Sequence, residues 1–391
     1  MWKPKRTAAF GYNAPVEGER TAMRMLLTGQ VGLDRQDYLK ELEAIARAHG
    51  EPLKVFHVGD MMYSEAADVK PGRILDLPLS RLTSLRRAVF RDIISELPNH
   101  PNVIINSHAT FRWKHGLFAA FDFDQLAQLQ ADIYVTLLDN VESVHQRLLR
   151  DHNVDHSLKD LMVWREEEIL ATELMARANA RHPGAFFVLA RGRHASTALT
   201  LFRLLMRPGM RKVYPSFPMS HVMNLPHILN EINDFRRSMA EKFITFDPGD
   251  VDEKMLYDAA VLAVEEGRQT LNVETSGGTV QLRVPEILTI GGDINGQIYA
   301  RDFMMVRQSD MIVSYIPELD DGRPGLSSGV ERELQHAYDH AREVYVIWRP
   351  KAAPSPFVTQ TATNLFTTVG EAMAYFSQCG FCPAHNLFDS P

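Results

Sequence analysis

From residue 23 onward the chain alternates short apolar runs with longer amphipathic segments. This alternation is typical of parallel sheets covered by helices, because each short run supplies a buried strand and each longer segment a crossover helix. The sequence therefore predicts an α/β fold. In the N-terminal half it predicts one five-stranded unit, with strands at 24–28, 55–58, 103–106, 133–138 and 186–190.

A second α/β series begins after two successive helix breakers, Pro208 and Gly209, which follow a predicted helix at 201–206. Its predicted strands are 212–214, 243–246, 311–315 and 344–348, with a variable stretch at 271–288. A chain of 391 residues also exceeds what one hydrophobic core usually organises. We therefore predict an N-terminal arm at 1–22 and two domains at 23–209 and 210–391, each a parallel sheet flanked by helices.

Composition narrows the possible partners. The 42 basic and 49 acidic residues give a net charge of -7, which favours neither nucleic acid nor an anionic membrane. No apolar run approaches the roughly 20 residues that cross a bilayer. Cys379 and Cys382 are the two cysteines of the sequence, which suits a reducing compartment and predicts a cytoplasmic protein. With His385 they fall short of the four ligands of a structural zinc site, so we expect no metal and no cofactor.

The first predicted strand runs into a glycine-containing loop and then a helix, the arrangement in which a P-loop cradles phosphates. The residues depart from that motif. Counting from Gly29, Asp34 stands where the second glycine belongs, Arg35 replaces the lysine, and Gln36 replaces the hydroxyl residue that would hold magnesium. The loop, including Gly32, is therefore predicted to be an altered phosphate loop.

Beyond this loop, the segments 58–62, 105–116, 131–140 and 145–151 resemble the archaeal type of adenylate kinase. In that family such segments form the monophosphate-binding side and the lid. The resemblance implies that Asp60, His108, Arg112, Arg147 and Arg150 contact a nucleotide, together with Gly29, Gly32 and Arg35 of the loop. Three possibilities stay open: a frame without ligand, nucleotide binding without catalysis, and a working kinase. The lost lysine and hydroxyl argue against phosphoryl transfer.

In the C-terminal half, residues 297–348 predict a helix, a strand, a polar loop, a second helix and a second strand. Ligands of open α/β sheets bind at the carboxyl ends of strands, which directs attention to the loop at 317–328. Within the second helix, the positions at 330, 334, 337 and 341 follow the spacing of a buried stripe. Glu333 lies roughly 70° from that stripe and Glu331 roughly 90° on its other flank, so the geometry prefers Glu333 only weakly.

The pattern S-x-G-V-x-x-E-L-x-x-A at 327–337 is similar to the active-site stretch of nucleoside 2-deoxyribosyltransferases and of their relatives that hydrolyse deoxynucleoside monophosphates. The resemblance implies a Rossmann-like domain and a homo-oligomer. It places the nucleophile on Glu333 and a second carboxylate on Asp302, eight residues before Asp310, with Tyr214 positioning Glu333. Substrate contacts would come from Ser216, Ser327, Ser328, Gly329 and, from a neighbouring subunit, Asn364.

Each of these residues also has an ordinary structural reading: Glu333 as a solvated helix glutamate, Asp302 as a surface or capping acid, and Ser327 as a plain N-cap. The function expected from the sequence is cleavage or transfer at the N-glycosidic bond of a nucleoside or nucleotide, with a nucleotide-binding kinase-like domain. The alternatives are a nucleoside monophosphate kinase and a non-catalytic nucleotide-binding regulatory protein. Whether water or a second base accepts the sugar stays open.

Overall fold

A computed structural model describes residues 22–70, 72–113, 116–182, 184–192, 197–219 and 222–382. The predicted arm at 1–22 therefore lies outside the described residues up to position 21. The N-terminal domain contains the strands β1 (Met23–Thr28), β2 (Lys54–His57), β3 (Asn102–Asn106), β4 (Thr110–Trp113), β5 (Gly116–Ala119), β6 (Ile133–Leu138) and β7 (Phe186–Ala190). Its helices are α1 (Arg35–Ala48), α2 (Val58–Glu65), α3 (Leu79–Glu96), α4 (Phe123–Leu129), α5 (Val141–His152), α6 (Leu158–Asn179) and α7 (Ala198–Met206).

Five of these strands form a parallel sheet in the order β2-β3-β1-β6-β7. β1 is the central strand, and the altered phosphate loop follows its carboxyl end directly. The remaining two strands, β4 and β5, form an antiparallel hairpin beside the sheet. This order places the loop between β1 and α1 at the edge where ligands of open α/β sheets bind.

The C-terminal domain repeats the architecture with another strand order. Its strands are β8 (Lys212–Ser216), β9 (Ile244–Thr245), β10 (Thr270–Thr275), β11 (Gly278–Arg283), β12 (Met311–Ile316), β13 (Glu343–Trp348) and β14 (Asn364–Phe366). Its helices are α8 (Pro226–Lys242), α9 (Lys254–Glu265), α10 (Val284–Thr289), α11 (Gly291–Gln308), α12 (Ser328–Asp339), α13 (Pro356–Thr361) and α14 (Val369–Gln378). The sheet order is β14-β13-β12-β8-β9, all parallel, and β10 and β11 form a separate hairpin.

The chain leaves β8 toward β9 on one side and returns to β12 on the other, so the direction of winding reverses between β8 and β12. Such a reversal opens a crevice at the carboxyl ends of the two strands. The site described below lies there.

The two domains share one hydrophobic core, because buried residues of β1, β6 and α6 belong to the same cluster as buried residues of β8, α9 and α11. The link between α7 and β8 covers residues 207–211 and includes the predicted boundary at Gly209. The α/β class with two parallel sheets is confirmed.

Several local predictions were wrong. Val58 begins α2 and does not end β2. β8 continues through Pro215 to Ser216, because the imino side of Pro215 faces the β9 edge, where β9 has already ended at Thr245. Ala341 does not extend the buried stripe of α12, since that helix ends at Asp339 and Ala341 takes a φ of 55°. The hairpin of β10 and β11, the hairpin of β4 and β5, and the edge strand β14 were not predicted.

Candidate active site

Both carboxylate oxygens of Glu333 accept hydrogen bonds from side chains of β8. The Tyr214 hydroxyl donates to Oε1 at 2.9 Å, and the Ser216 hydroxyl donates to Oε2 at 2.6 Å. The buried positions Val330, Leu334 and Ala337 turn α12 so that Glu333 faces the sheet, while Glu331 is exposed. The structure thus brings together Glu333, Tyr214 and Ser216, and it favours Glu333 over Glu331.

Asp302 approaches the same crevice from α11. Its carboxylate is close enough to Glu333 that its charge raises the pKa of Glu333. The Arg301 Nε lies 3.8 Å from Oδ1 of Asp302, yet this buried oxygen has no hydrogen-bond partner among the described residues. A buried carboxylate oxygen without a partner is costly and is a common mark of a functional group.

Burial raises the pKa of both carboxylates. Burial, followed by the charge of Asp302, raises the pKa of Glu333 to about 8, while the hydrogen bonds from Ser216 and Tyr214 act in the opposite direction. Burial raises the pKa of Asp302 to about 6. Two acids perturbed in this way titrate as a pair. Near neutral pH the pair therefore holds about one proton, which is the state that acid and nucleophile need together.

Tyr214 is fully buried, and its pKa is raised well above the usual range by burial and then by Asp302 and Glu333. It stays a neutral donor at any physiological pH. Phe217, three residues after Tyr214, packs in the domain core with the Arg236 guanidinium 5.2 Å from its ring centroid. Arg236 in turn donates to Asp247 at 2.7 Å.

The other predicted substrate contacts are placed differently. The Ser327 hydroxyl caps α12 by accepting from the Val330 amide at 3.3 Å. Ser328 and Gly329 form the exposed first turn of that helix. Asn364 lies on the edge strand β14, which β13 and β12 separate from β8, and its side-chain oxygen accepts from the Leu365 amide at 2.9 Å. One chain alone does not bring Asn364 to Glu333.

In the N-terminal domain the glycines of the altered loop pack tightly against the protein itself. A Cβ at Gly29 would lie 2.7 Å from the Leu137 carbonyl oxygen, and one at Gly32, where φ is +90°, would lie 3.0 Å from the Val144 carbonyl oxygen. The Gly29 amide donates to Oε1 of the buried Glu168 at 2.9 Å. Close approach of the chain to itself explains both glycines without a phosphate.

Arg35 points into the protein. It donates to the Ser107 carbonyl oxygen, and its Nη2 lies 2.6 Å from Nε2 of His108. Burial lowers the pKa of Arg35 to about 10, against the raising effect of Glu168. Burial, and then Arg35, hold the pKa of His108 well below its usual range, so this imidazole is neutral. The guanidinium of Arg35 is thus engaged by Ser107 and His108, and its contact with a phosphate stays a prediction.

The remaining predicted nucleotide contacts have partners within the protein: the three arginines pair with acids, and Asp60 accepts from an amide. Arg147 is fully buried; its Nε lies 3.2 Å from Asp34, and its Nη1 donates to Asp139 at 2.9 Å. It also donates to Ser276 in the other domain. The other three pairs are Arg112 with Glu167, Arg150 with Asp34 and Asp151, and Asp60 accepting from Gln36. Arg147 is thus a buried link between the two domains, and its contact with a nucleotide stays a prediction.

A charged cluster between the domains went unrecognised in the sequence. Glu253, fully buried, accepts from Arg165 Nη1 at 2.5 Å and from Arg301 Nη1 at 3.4 Å. Arg165 also donates to the Asp139 carbonyl oxygen at 3.1 Å. Burial would raise the pKa of Glu253, but Arg165 and Arg301 hold it below the usual range. No sequence spacing signals this cluster, since its members come from three distant segments.

The geometry and the comparisons agree on the class of the N-terminal domain. Residues 40–165 match a family model described as an AAA domain, which covers less than half of the chain. The match lies within the domain whose strand order is that of a P-loop kinase-like fold, and it begins after the altered loop. No helix among the described residues is both long enough and apolar enough to span a membrane.

Solved structures with similarity to this chain include a 2-deoxyribosyltransferase and two kinases of small molecules. A 2-deoxyribosyltransferase from Bacillus psychrosaccharolyticus is 13% identical, with 41% of this chain and 89% of that chain covered and a TM-score of 0.23. A shikimate kinase from Acinetobacter baumannii, in complex with shikimate, is 14% identical, with 48% and 93% covered and a TM-score of 0.32. A gluconokinase from Sinorhizobium meliloti is 13% identical, with 47% and 90% covered and a TM-score of 0.27. Similarity this low assigns no activity to the chain.

Proposed function

We propose that the C-terminal domain cleaves or transfers the N-glycosidic bond of a nucleoside or nucleotide, with Glu333 as nucleophile and Asp302 as acid. The observation that carries the proposal is the buried carboxylate pair in the crevice between β8 and β12, one member held by two hydroxyl donors and the other with an unpartnered oxygen. Breaking a ribosyl C–N bond develops positive charge at C1′, and a positioned carboxylate stabilises or captures it.

The proposed reaction has two steps. In the first, the C1′–N bond breaks, its electron pair goes to the base, the base takes the proton of Asp302, and Glu333 forms a C1′–O bond. In the second, water or the nitrogen of another base attacks C1′, Glu333 leaves as carboxylate, and the attacking atom gives its proton to Asp302. This is the double displacement of retaining glycosidases applied to a C–N bond.

With a pKa of about 8 for Glu333 and about 6 for Asp302, the proton of the free pair lies on Glu333. The proposed reaction needs this proton on Asp302 in the substrate complex. There the positive charge that develops at C1′ and the hydroxyl donors on both Glu333 oxygens favour the ionised form of Glu333. Asp302 accepts no such donors among the described residues, so it takes up a proton without losing a hydrogen bond.

For the N-terminal domain we propose nucleotide binding without phosphoryl transfer. The AAA-domain match supports nucleotide binding. The inward Arg35 and the Asp34 carboxylate, which lies at the loop and pairs with Arg147 and Arg150, argue against a catalytic phosphate cradle. A triphosphate would meet an acid where the P-loop supplies a glycine.

The test is to incubate the full chain with ribonucleosides, deoxynucleosides and their 5′-monophosphates, each with and without a second free base, and to separate products by chromatography. We expect free base, or exchanged nucleoside when a second base is present. If a folded protein releases no base from any of these substrates, and exchanges none, the proposed function is wrong.

A further inference from the structure

The N-terminal domain contains a cavity of about 180 Å³ that lies apart from Glu333. It sits at the carboxyl ends of β1, β2 and β3, between α2 and α3 on one side and the hairpin of β4 and β5 on the other. Most of its wall is apolar, and four aromatic side chains contribute to it: Tyr63, Phe111, Trp113 and Phe118. A concave apolar space with aromatic walls fits the flat body of a small ligand.

Arg86 of α3 lines this cavity and is 7% exposed. Its Nε is buried without a hydrogen-bond partner, and none of the described residues makes a hydrogen bond to any other atom of its guanidinium. The adjacent Arg87, by contrast, donates to Asp122 at 2.8 Å and is largely exposed. A buried arginine without a hydrogen-bonded anion is costly, so such a group in a native fold calls for an explanation.

The electrostatics of the cavity specify its occupant further. Among the described lining residues, Arg86 alone carries a full charge: none is acidic, and burial lowers the pKa of both His108 and His152. Burial also lowers the pKa of Arg86 to about 10, against the raising effect of Asp122, a residue outside the lining whose carboxylate accepts from Arg87. A single negative charge would neutralise the cavity, whereas a dianion would leave an uncompensated charge in an apolar space.

We propose that this cavity binds a small aromatic monoanion, namely an aryl carboxylate whose ring packs among the four aromatic side chains and whose carboxylate pairs with Arg86. A planar guanidinium and a carboxylate form two parallel hydrogen bonds, which is the strongest pairing available to a lone arginine. At roughly 10–15 Å³ for each water that it encloses, the cavity holds a ligand of about a dozen non-hydrogen atoms. This inference does not depend on the reaction proposed for Glu333. It assigns the cavity, which His108 lines, to a carboxylate, so the nucleotide proposed for this domain would bind outside the cavity.

Titration calorimetry and thermal melting of the full chain test the proposal, with benzoate and indole-3-carboxylate as probes, benzamide as the uncharged counterpart, and adenosine 5′-monophosphate as the dianionic one. We expect the two carboxylates to bind and to raise the melting temperature, and benzamide to bind about 10- to 100-fold more weakly, as loss of one charged hydrogen-bonded pair predicts.

Arg86→Met should reduce carboxylate binding by the same factor, while its unliganded melting temperature stays equal or rises because a buried unpaired charge is gone. Arg87→Met is the matched control: it removes the same charge from the next residue of α3 and should leave probe binding unchanged. Equal carboxylate binding by Arg86→Met would overturn the proposal, and so would no binding of either carboxylate at millimolar concentration. Tighter, Arg86-dependent binding of adenosine 5′-monophosphate would overturn it too, because the cavity would then be a nucleotide site.

Discussion

The hydroxyl of Tyr214 and Oε1 of Glu333 lie 2.9 Å apart, and the tyrosine is the donor. A fully buried phenol whose pKa is raised well above the usual range cannot ionise, so it offers Glu333 a permanent O–H donor. Such a donor stabilises the carboxylate over the carboxylic acid and lowers the pKa of Glu333. The relationship therefore bears on both the position and the ionisation of the proposed nucleophile.

Replacing Tyr214 by Phe removes this donor and should raise the pKa of Glu333. We expect the rate of base release to fall by about 10- to 100-fold at neutral pH, the usual effect of one charged hydrogen bond. Because Glu333 must be ionised, the acid side of the pH–rate profile should also move to higher pH, and part of the activity should return at alkaline pH. An unshifted profile would assign Tyr214 to packing alone. Tyr338→Phe, on the exposed side of α12, is the control.

Replacing Glu333 by Ala should abolish base release while the fold stays intact. Groups that meet charge in the transition state commonly contribute two to three orders of magnitude to the rate, so a loss of at least about 100-fold is expected. Glu331→Ala removes the same charge from the exposed side of the same helix and should keep wild-type release. The reverse result, with Glu331 essential and Glu333 dispensable, would require the site to be rebuilt around Glu331.

Replacing Asp302 by Asn should slow the departure of ordinary bases, since an amide cannot give the proton that a carboxylic acid gives. A nucleoside of an N7-methylated purine, whose base leaves without a proton, should largely rescue Asp302→Asn but not Glu333→Ala. Comparison of the two substrates with each variant measures this. Equal slowing of both substrates by Asp302→Asn would exclude an acid role.

The N-terminal domain should not transfer phosphate at a kinase rate, because Arg35 is bound to Ser107 and His108 and Asp34 occupies the loop. The measurement is ATP-dependent conversion of nucleoside monophosphates to diphosphates, made with Glu333→Ala so that base release does not deplete the substrate. Turnover of about 1–100 per second would contradict the prediction.

Replacing Glu253 by Gln should destabilise the whole protein by about 3–5 kcal/mol, because Arg165 and Arg301 would keep their charges in a buried cluster without the carboxylate. Asp293→Asn, which breaks a more exposed pair with Lys159 across the same interface, should cost no more than about 1 kcal/mol. Urea unfolding at neutral pH measures both.

The pH dependence of unfolding gives an independent check on Glu253. Its pKa in the folded state is held below the usual range, so its contribution is present above the unfolded pKa of about 4.3 and is lost as pH falls through the folded value. The difference in the free energy of unfolding between wild type and Glu253→Gln should therefore shrink as the pH drops below about 4. A constant difference down to pH 2 would show that ionised Glu253 contributes nothing.

The sequence predicted most of the sheet, because buried parallel strands are short continuous apolar runs. All five strands of the N-terminal sheet were found, with boundaries within a residue. Edge elements such as β14 were missed because three residues, of which only Phe366 is buried, make too weak a pattern. Helix periodicity weakly favoured Glu333 over Glu331 as the glutamate that faces the sheet. Only the structure shows the contacts of Glu333 with Tyr214 and Ser216.

The sequence carried least information about the burial and the partners of the arginines. Arg35, Arg86, Arg147, Arg165 and Arg301 are all buried. Their environments depend on partners from distant segments, and a sequence pattern reports local periodicity only. The acids that neutralise Arg147 lie in two loops, and the lack of such a partner at Arg86 is visible only in three dimensions.

The Glu253 cluster also bears on how this protein can change over evolutionary time. Arg165 belongs to one domain and Glu253 and Arg301 to the other, so separation of the two halves would leave charges of opposite sign stranded on newly exposed apolar surfaces. Loss or exchange of either half would therefore destabilise the half that remains, unless its newly exposed residues changed as well. The buried cluster thus favours inheritance of the two folds as one unit.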